Sequence, residues 1–258
     1  MKIIFKLVKK IFHKFCSVIS IERNLKYSGT SYGGWHFSDE NLSKNLTVVS
    51  AGVGEDISFD IELLNKFKVK LFLIDPTPRA VLYVQKIIAN LGNSKTLEFD
   101  ESSGYQPIEA YDLSDIQEED FILIEKALYN KSESTIKFYA PPKKEFVSYS
   151  ISNFQHNFSK NTDFIEVKTI TLSDIMIQNK INKIDILKLD IEGAENQVIP
   201  NMLRNKIYPK QILVEFDELA TSYIKPYIKA IFVFIYLKLK NYNLVKTNQF
   251  PNFLFIRG

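Results

Sequence analysis

Apolar residues fall along this chain in two rhythms. Short buried runs of four to eight residues alternate with stretches in which apolar positions recur every three or four residues. Leu46, Val48, Val49 and Ala51 form the first buried run. Gly52 and Gly54 follow as a tight turn, then Ile57, Ile61 and Leu64 repeat at helical spacing, with Phe59 and Leu63 widening the face. "VKLFLIDP", residues 69–76, is a second buried strand ending at Asp75, and Pro78 suits the first turn of a helix over 79–91. "FILIEKAL" at 121–128 predicts a third strand, and "STIKFYA" at 134–140 a hairpin arm. "IEVKTITLSDIM" predicts an edge strand running into a short helix, with Ser173 or Asp174 near its start. "KIDILKLDIEG", 183–193, is a buried strand ending in acids, followed by the helix "AENQVIPNMLRN" and the strand "QILVEFDE". A helix over 223–240 precedes two closing strands, "YNLVKT" and "NFLFIRG", joined by a loop too short for a crossover. Strands alternating with helices and buried on both faces predict an α/β fold with a mostly parallel sheet and a C-terminal antiparallel pair.

The length, 258 residues, suits one α/β domain, and 45% hydrophobic residues supply a sizeable core. No linker divides the chain; residues 1–45 read as a lead-in and 46–258 as the domain. Cys16 is the one cysteine, so no disulfide forms within the chain, which fits a reducing, cytoplasmic setting. A net charge of +3 is too small to argue for nucleic acid. The longest apolar run, "AIFVFIYL" at 230–237, falls short of the roughly 20 residues a spanning helix needs. The charge is unevenly spread. Residues 1–16 hold five lysines and no acid, with Ile3, Ile4, Leu7, Val8, Ile11, Phe12 and Phe15 on one helical face. Such a helix either lies on an anionic membrane surface, placing the protein peripherally at the inner face, or docks on its own domain. Because it precedes the motif-bearing region, it is expected to be dispensable for ligand binding. Residues 98–120 carry nine acids and no Lys or Arg, read as a solvated insertion or as a lid.

In open α/β sheets the first strand–turn–helix is where ligands bind. Two cofactors suit it, a nicotinamide dinucleotide and S-adenosylmethionine. The dinucleotide fingerprint wants a small residue where Ile57 stands, and Glu55 and Asp56 would repel a pyrophosphate. A sulfonium cation and an amino group tolerate acids. Asp75, closing the next strand, is placed to accept hydrogen bonds from ribose hydroxyls. Gly52, Gly54, Glu55, Asp75 and Ala127 are therefore the candidate cofactor contacts.

The run "IDILKLDIEGAENQVIP" sets Asp190, Glu192 and Glu195 just beyond a buried strand, with Gly193 at the turn. Here the chain resembles the FkbM family of methyltransferases, whose hallmark reads roughly I-D-x-x-K-x-D-x-E-G-x-E. It is matched by Ile184, Asp185, Lys188, Asp190, Glu192, Gly193 and Glu195. "TITLSDIM", "EKALYNKSESTIKFY" and "QILVEF" are similar to flanking family segments, so the resemblance covers roughly 45–258. "VSAGVGEDISFD" departs from the commoner D-x-G-A-N-x-G form, and "YGGWHF" at 32–37 marks a subgroup. The resemblance implies a Rossmann-like class I methyltransferase fold and methyl transfer from S-adenosylmethionine. It also implies an acceptor that is a small molecule or a glycan, through a sugar hydroxyl of a glycan or its lipid-linked precursor.

Such a reaction needs orientation and, for an alcohol, a base. Asp190 is the first candidate base or orienter; capping the next helix is its structural alternative, and Glu192 has an equal claim to that cap. Lys188 is expected to pair with a neighbouring acid. Glu215 ends the next strand beside Asp190, where two carboxylates share a proton or bind magnesium. No histidine joins them, and no metal ligands are assigned. His36 is an alternative base, and Trp35 offers an indole face for a sugar, with Glu192 as a further substrate contact. An aromatic stretch over 138–158, with Tyr139, Phe146, Tyr149, Phe154, His156 and Phe158, forms an acceptor wall or ordinary loop packing. The rivals are a membrane-associated, non-catalytic protein on a methyltransferase fold and an NAD-dependent oxidoreductase.

Overall fold

The computed structural model describes residues 2–40, 42, 44–143, 147–153, 155 and 162–258. Phe146, Phe154, His156 and Phe158 lie outside them.

The chain opens with helix α1 (Lys2–Ile19) and a two-stranded ribbon, β1 (Lys26–Ser28) and β2 (Trp35–Phe37). Strand β3 (Asn45–Ala51), helix α2 (Ser58–Lys66), strand β4 (Lys68–Ile74), helix α3 (Pro78–Ile88) and strand β5 (Phe121–Ile124) follow. A side sheet holds β6 (Ala127–Leu128), β7 (Thr135–Tyr139) and β8 (Phe164–Ile170). Helix α4 (Leu172–Gln178), strand β9 (Ile186–Leu189), helix α5 (Glu195–Arg204) and strand β10 (Gln211–Glu215) return to the main sheet. Helix α6 (Ile224–Leu239) and strands β11 (Tyr242–Val245) and β12 (Asn252–Arg257) close the chain.

The main sheet has the order β11-β12-β10-β9-β3-β4-β5. Pairings β3–β4, β4–β5, β3–β9 and β9–β10 are parallel, whereas β12 runs antiparallel to both β10 and β11. The short connection between β11 and β12 permits only that reversal, and β12 is slotted between β10 and β11. The order reverses between β3 and β9, the place where open α/β sheets bind ligands. This is the Rossmann-like, mostly parallel layout of class I methyltransferases.

Two local expectations change. "FILIEKAL" is not one strand: it leaves the main sheet after Ile124, and Ala127–Leu128 pair with β8 instead. The strand expected at an edge, β8, is instead the middle of the side sheet, parallel to β6 and antiparallel to "TIKFY"; Ser173 and Asp174 do fall in the first turn of α4, which Thr171 caps by accepting from the Asp174 N–H at 3.2 Å.

The sheet carries a core on each face. Leu187 and Leu189 point into one, packed by α4, α5 and α6, while Ile186 points into the other, packed by α2 and α3. The lead-in shares both cores. Trp35 and Phe37 are buried in the second. Phe12 is 0% exposed in the first, with its ring 5.3 Å from Tyr227 and 5.7 Å from Phe234. The contacting face of α1 is Phe5, Val8, Phe12, Phe15, Cys16 and Ile19, only partly the expected one. Ile3, Ile4, Leu7 and Ile11 stay exposed. Helix α1 is therefore part of the core's construction rather than a removable appendage.

Replacing Phe12 by alanine is expected to destabilise the chain by about 3–5 kcal/mol. Ile11→Ala, at an exposed site, is expected to stay within about 0.5 kcal/mol of the parent. Denaturant melts compare the two; equal stabilities would show that α1 does not belong to the core.

Candidate active site

At the end of β3 the chain turns on Gly52, whose φ of +83° favours glycine and whose N–H donates to the Ile74 carbonyl at 3.0 Å. A Cβ at Gly52 would stand 1.6 Å from the Asp190 carbonyl oxygen. The turn after β3 and the acid-bearing turn after β9 thus touch backbone to backbone. Gly54, at φ +61°, faces open space, with only a Val147 methyl 3.6 Å from an added Cβ.

Asp75 is 7% exposed and fastens this turn. Its Oδ2 accepts from Val53 N–H at 2.9 Å and Gly54 N–H at 3.4 Å. Its Oδ1 accepts from Thr77 N–H at 2.8 Å and Thr77 Oγ1 at 2.6 Å. Both oxygens serve the protein's own backbone, so Asp75 holds the turn's shape where it was expected to present free lone pairs to a ribose. Glu55, next in the turn, pairs with Arg79. Asp56 accepts from Thr30 Oγ1 at 2.6 Å and Ser58 N–H at 2.9 Å, tying the lead-in to the start of α2.

The second turn follows β9. The Asp190 N–H donates to Ala51 O at 2.9 Å, continuing the ladder. Glu192 has φ +51° and Gly193 +102°, two successive left-handed residues. Such strain in a non-glycine persists only where neighbours impose it. Glu195 imposes it: its buried Oε1 accepts from Ile191 N–H and Gly193 N–H, each at 3.2 Å. Gln155 Nε2 donates to Glu192 Oε2 at 3.2 Å from above. Lys188, 3% exposed, donates to the Gly52 carbonyl at 2.9 Å and lies 5.8 Å over the Trp35 ring. Its expected acid partner is replaced by a carbonyl.

The acids crowd together. Carboxylate oxygens of Asp190, Glu192 and Asp217 lie within 4.8 Å of one another, a spacing that suits one divalent cation. Asp217, two residues beyond Glu215, takes the place expected for Glu215 in this triad; it opens a 3-10 turn directly after β10. Burial raises the pKa of Asp190, and Asp75 adds to the rise against the pull of Lys188. Burial first, then Asp190, lifts Glu192 to about 7. Burial, then Asp190 and Glu192, lifts Glu215 to about 8. Asp217 is raised well above its ordinary value by burial and by the same neighbours.

One cleft of about 820 Å³, counted out to its open mouth, is lined by Gly52, Gly54, Glu55, Asp75, Ala127, Trp35, Asp190 and Glu192. Eight of the residues singled out in the sequence thus meet in one place. Glu215 is not among the lining residues, and it is coupled to the cleft through Asp190 and Glu192, which after burial raise its pKa. His36 does not reach the cleft. Strand alternation buries Trp35 and Phe37 and turns His36 away, where its Nδ1 lies 2.8 Å from Gln249 Oε1. The base role proposed for His36 is therefore withdrawn. Trp35, 4% exposed, has little free face for a sugar. Tyr32, three residues earlier and 64% exposed, lines the cleft and offers that face instead. It sits close enough to Asp190, Glu192 and Glu215 for their charges to raise its phenol pKa, after burial. Its only signal in the sequence was its membership of "YGGWHF".

The acidic insertion packs at the mouth rather than trailing in solvent. Ser31 donates through N–H and Oγ to Glu101, at 2.6 and 2.7 Å, and Gly104 lies against the Tyr32 ring. Gln106 N–H donates to Glu55 O at 2.9 Å. Tyr149 of the expected aromatic wall lines the cleft together with Phe138, whereas Tyr139 is not among the lining residues.

Two outcomes follow from this geometry. Glu192 and Glu215 carry folded pKa values near 7 and 8 against an ordinary 4.5. The folded state therefore holds extra protons, and its stability falls as pH climbs from about 5 through 8. Glu215→Gln is expected to flatten that decline in melting temperature; identical slopes in variant and parent would contradict the shift. Asp75→Ala is expected to cost about 1.5–3 kcal/mol, because the turn's N–H groups lose a charged acceptor. Chemical denaturation measures that loss without any ligand.

The Methyltransferase FkbM domain family matches residues 14–244 of the chain. Comparison with curated proteins and with solved structures gave no match. A family match that begins inside α1 and ends at β11 takes in both turns, the acid cluster and the whole parallel sheet. The chain belongs to the FkbM methyltransferase family.

Proposed function

We propose that this methyltransferase draws its methyl group from S-adenosylmethionine and delivers it to a sugar hydroxyl of a glycan or glycolipid precursor. The carrying observation is the charge of the cleft. Glu55, Asp56, Asp75, Asp190 and Glu192 line it against a single cationic side chain, Lys188, among the described residues. Carboxyls held toward their neutral forms by burial and mutual repulsion ionise more readily beside a bound cation and less readily beside an anion, so this lining favours a sulfonium and an ammonium and opposes a pyrophosphate, which argues against the oxidoreductase reading. The donor set fits the cofactor. Gly54 leaves room for close backbone approach, Glu55 and the turn offer polar contacts, and Ile74, Ala127 and Leu128 offer an apolar bed for an adenine.

When bound, S-adenosylmethionine supplies an activated methyl electrophile. What the chain supplies is orientation, exclusion of water and a proton acceptor. Tyr32, Phe138 and Tyr149 give aromatic faces of the kind a sugar ring packs against. Asp190 takes the hydroxyl proton as the oxygen attacks, and its raised pKa makes it a stronger base than an exposed aspartate. Glu192 and Asp217, which burial and neighbouring acids push toward their neutral forms, add little charge beside the proton that Asp190 gains.

The test follows radiolabelled methyl from S-adenosylmethionine into a glycolipid extract. Asp190→Asn is expected to keep cofactor affinity and slow transfer by roughly 10²–10⁴. The rate of the parent is expected to fall as pH drops and Asp190 takes up its proton. A variant with parental turnover would remove the base role. Label appearing only in protein or nucleic acid would overturn the acceptor class. Loss of transfer with chelator, restored by magnesium, would assign the triad to a cation rather than to proton transfer.

A further inference from the structure

We infer that α1 and α6 together form a docking face for an anionic lipid bilayer, lying on its surface rather than crossing it. The inference stands apart from the proposed reaction and rests on the outer side of these two helices.

Phe5 packs on Tyr227, and Phe12 packs on both Tyr227 and Phe234, so α1 lies against α6. Helix α6 buries Tyr227, Ala230, Val233, Phe234 and Leu237 against the sheet. On the side away from the core, where a helix of a soluble protein carries charge, it shows Ile228, Phe232, Ile235 and Leu239, exposed by 47, 69, 43 and 73%. Helix α1 spends one face on the core and still exposes Ile3, Ile4, Leu7 and Ile11, by 84, 57, 56 and 54%. With Val18, these two helices hold nine of the eighteen large hydrophobic side chains found exposed among the described residues. Scattered apolar residues need no explanation, whereas exposed stripes on two helices that pack against each other do.

The charge pattern selects the occupant. The 18 residues of α1 and 16 of α6 contain eight lysines and no acid. No Asp or Glu occurs before Glu22 or after Glu218. Acids elsewhere in the chain number 30, so their exclusion from both ends leaves one basic, apolar side and an acidic cleft. An apolar stripe bordered by lysines fits the boundary between acyl chains and anionic headgroups. Among the described residues no helix is long and apolar enough to cross a membrane. A second copy of the chain would bring eight more lysines against these eight, which disfavours self-association through the same face.

The test is flotation of the full chain with vesicles of phosphatidylcholine alone and of equimolar phosphatidylcholine and phosphatidylglycerol. The chain is expected to rise with the anionic vesicles only, less so as salt is added. Leu7→Glu with Phe232→Glu, both at exposed positions, is expected to lower the bound fraction on the order of tenfold while the melting temperature holds. Absence of flotation with anionic vesicles, equal flotation with neutral ones, or flotation untouched by the double substitution would each overturn the inference. A lipid-free dimer that the double substitution dissociates, with no vesicle binding, would assign the face to a second copy.

Discussion

The crossing of two turns at the switch point of the sheet governs the site. Gly52 and Asp190 meet backbone to backbone, so closely that a methyl group at Gly52 would occupy the Asp190 carbonyl. The Lys188 ammonium, rooted in the middle of β9, then clasps the Gly52 carbonyl from beneath. Neither turn can shift alone. The segment expected to hold the methyl donor and the residue expected to receive the acceptor's proton are therefore fixed relative to each other by backbone. Chemistry that depends on in-line approach needs that kind of fixity.

A cost accompanies this closeness. The triad of Asp190, Glu192 and Asp217 gathers carboxylates that burial and mutual repulsion push toward their neutral forms. The strained φ of Glu192 adds to it, held only because Glu195 grips the turn from below. A fold selected for stability alone would not assemble such a cluster. The same tension extends below α2, where buried Asp60 has its pKa raised by burial, against the opposing pull of Lys188. The acid-lined cleft contrasts with helices α1 and α6, which carry eight lysines and no acid.

Much of this was legible in the sequence because it lay in local patterns. The alternation of buried strands and amphipathic helices gave the order of elements, and the closing short loop gave the one antiparallel strand. Gly52, Asp75 and Asp190 announced themselves by standing at strand ends. What stayed hidden depended on contacts distant in sequence. Nothing local shows that Asp75 spends both oxygens on its own turn, or that Asp217 rather than Glu215 completes the triad. His36 and Trp35 are neighbours, and only strand register decides which one faces the cleft. Tyr32 becomes significant only when Ser31 meets Glu101, seventy residues away. Likewise α1 looked separable, since its packing partners Tyr227 and Phe234 lie at the other end of the chain.

The most direct measurement is a calorimetric titration of the full chain with S-adenosylmethionine and, separately, with NAD, repeated on Gly52→Ala. The account predicts saturable heat with S-adenosylmethionine, none with NAD, and loss of that heat in the variant, where the added methyl must force the two turns apart. Binding of NAD in place of S-adenosylmethionine, or undiminished binding of S-adenosylmethionine by Gly52→Ala, would contradict it.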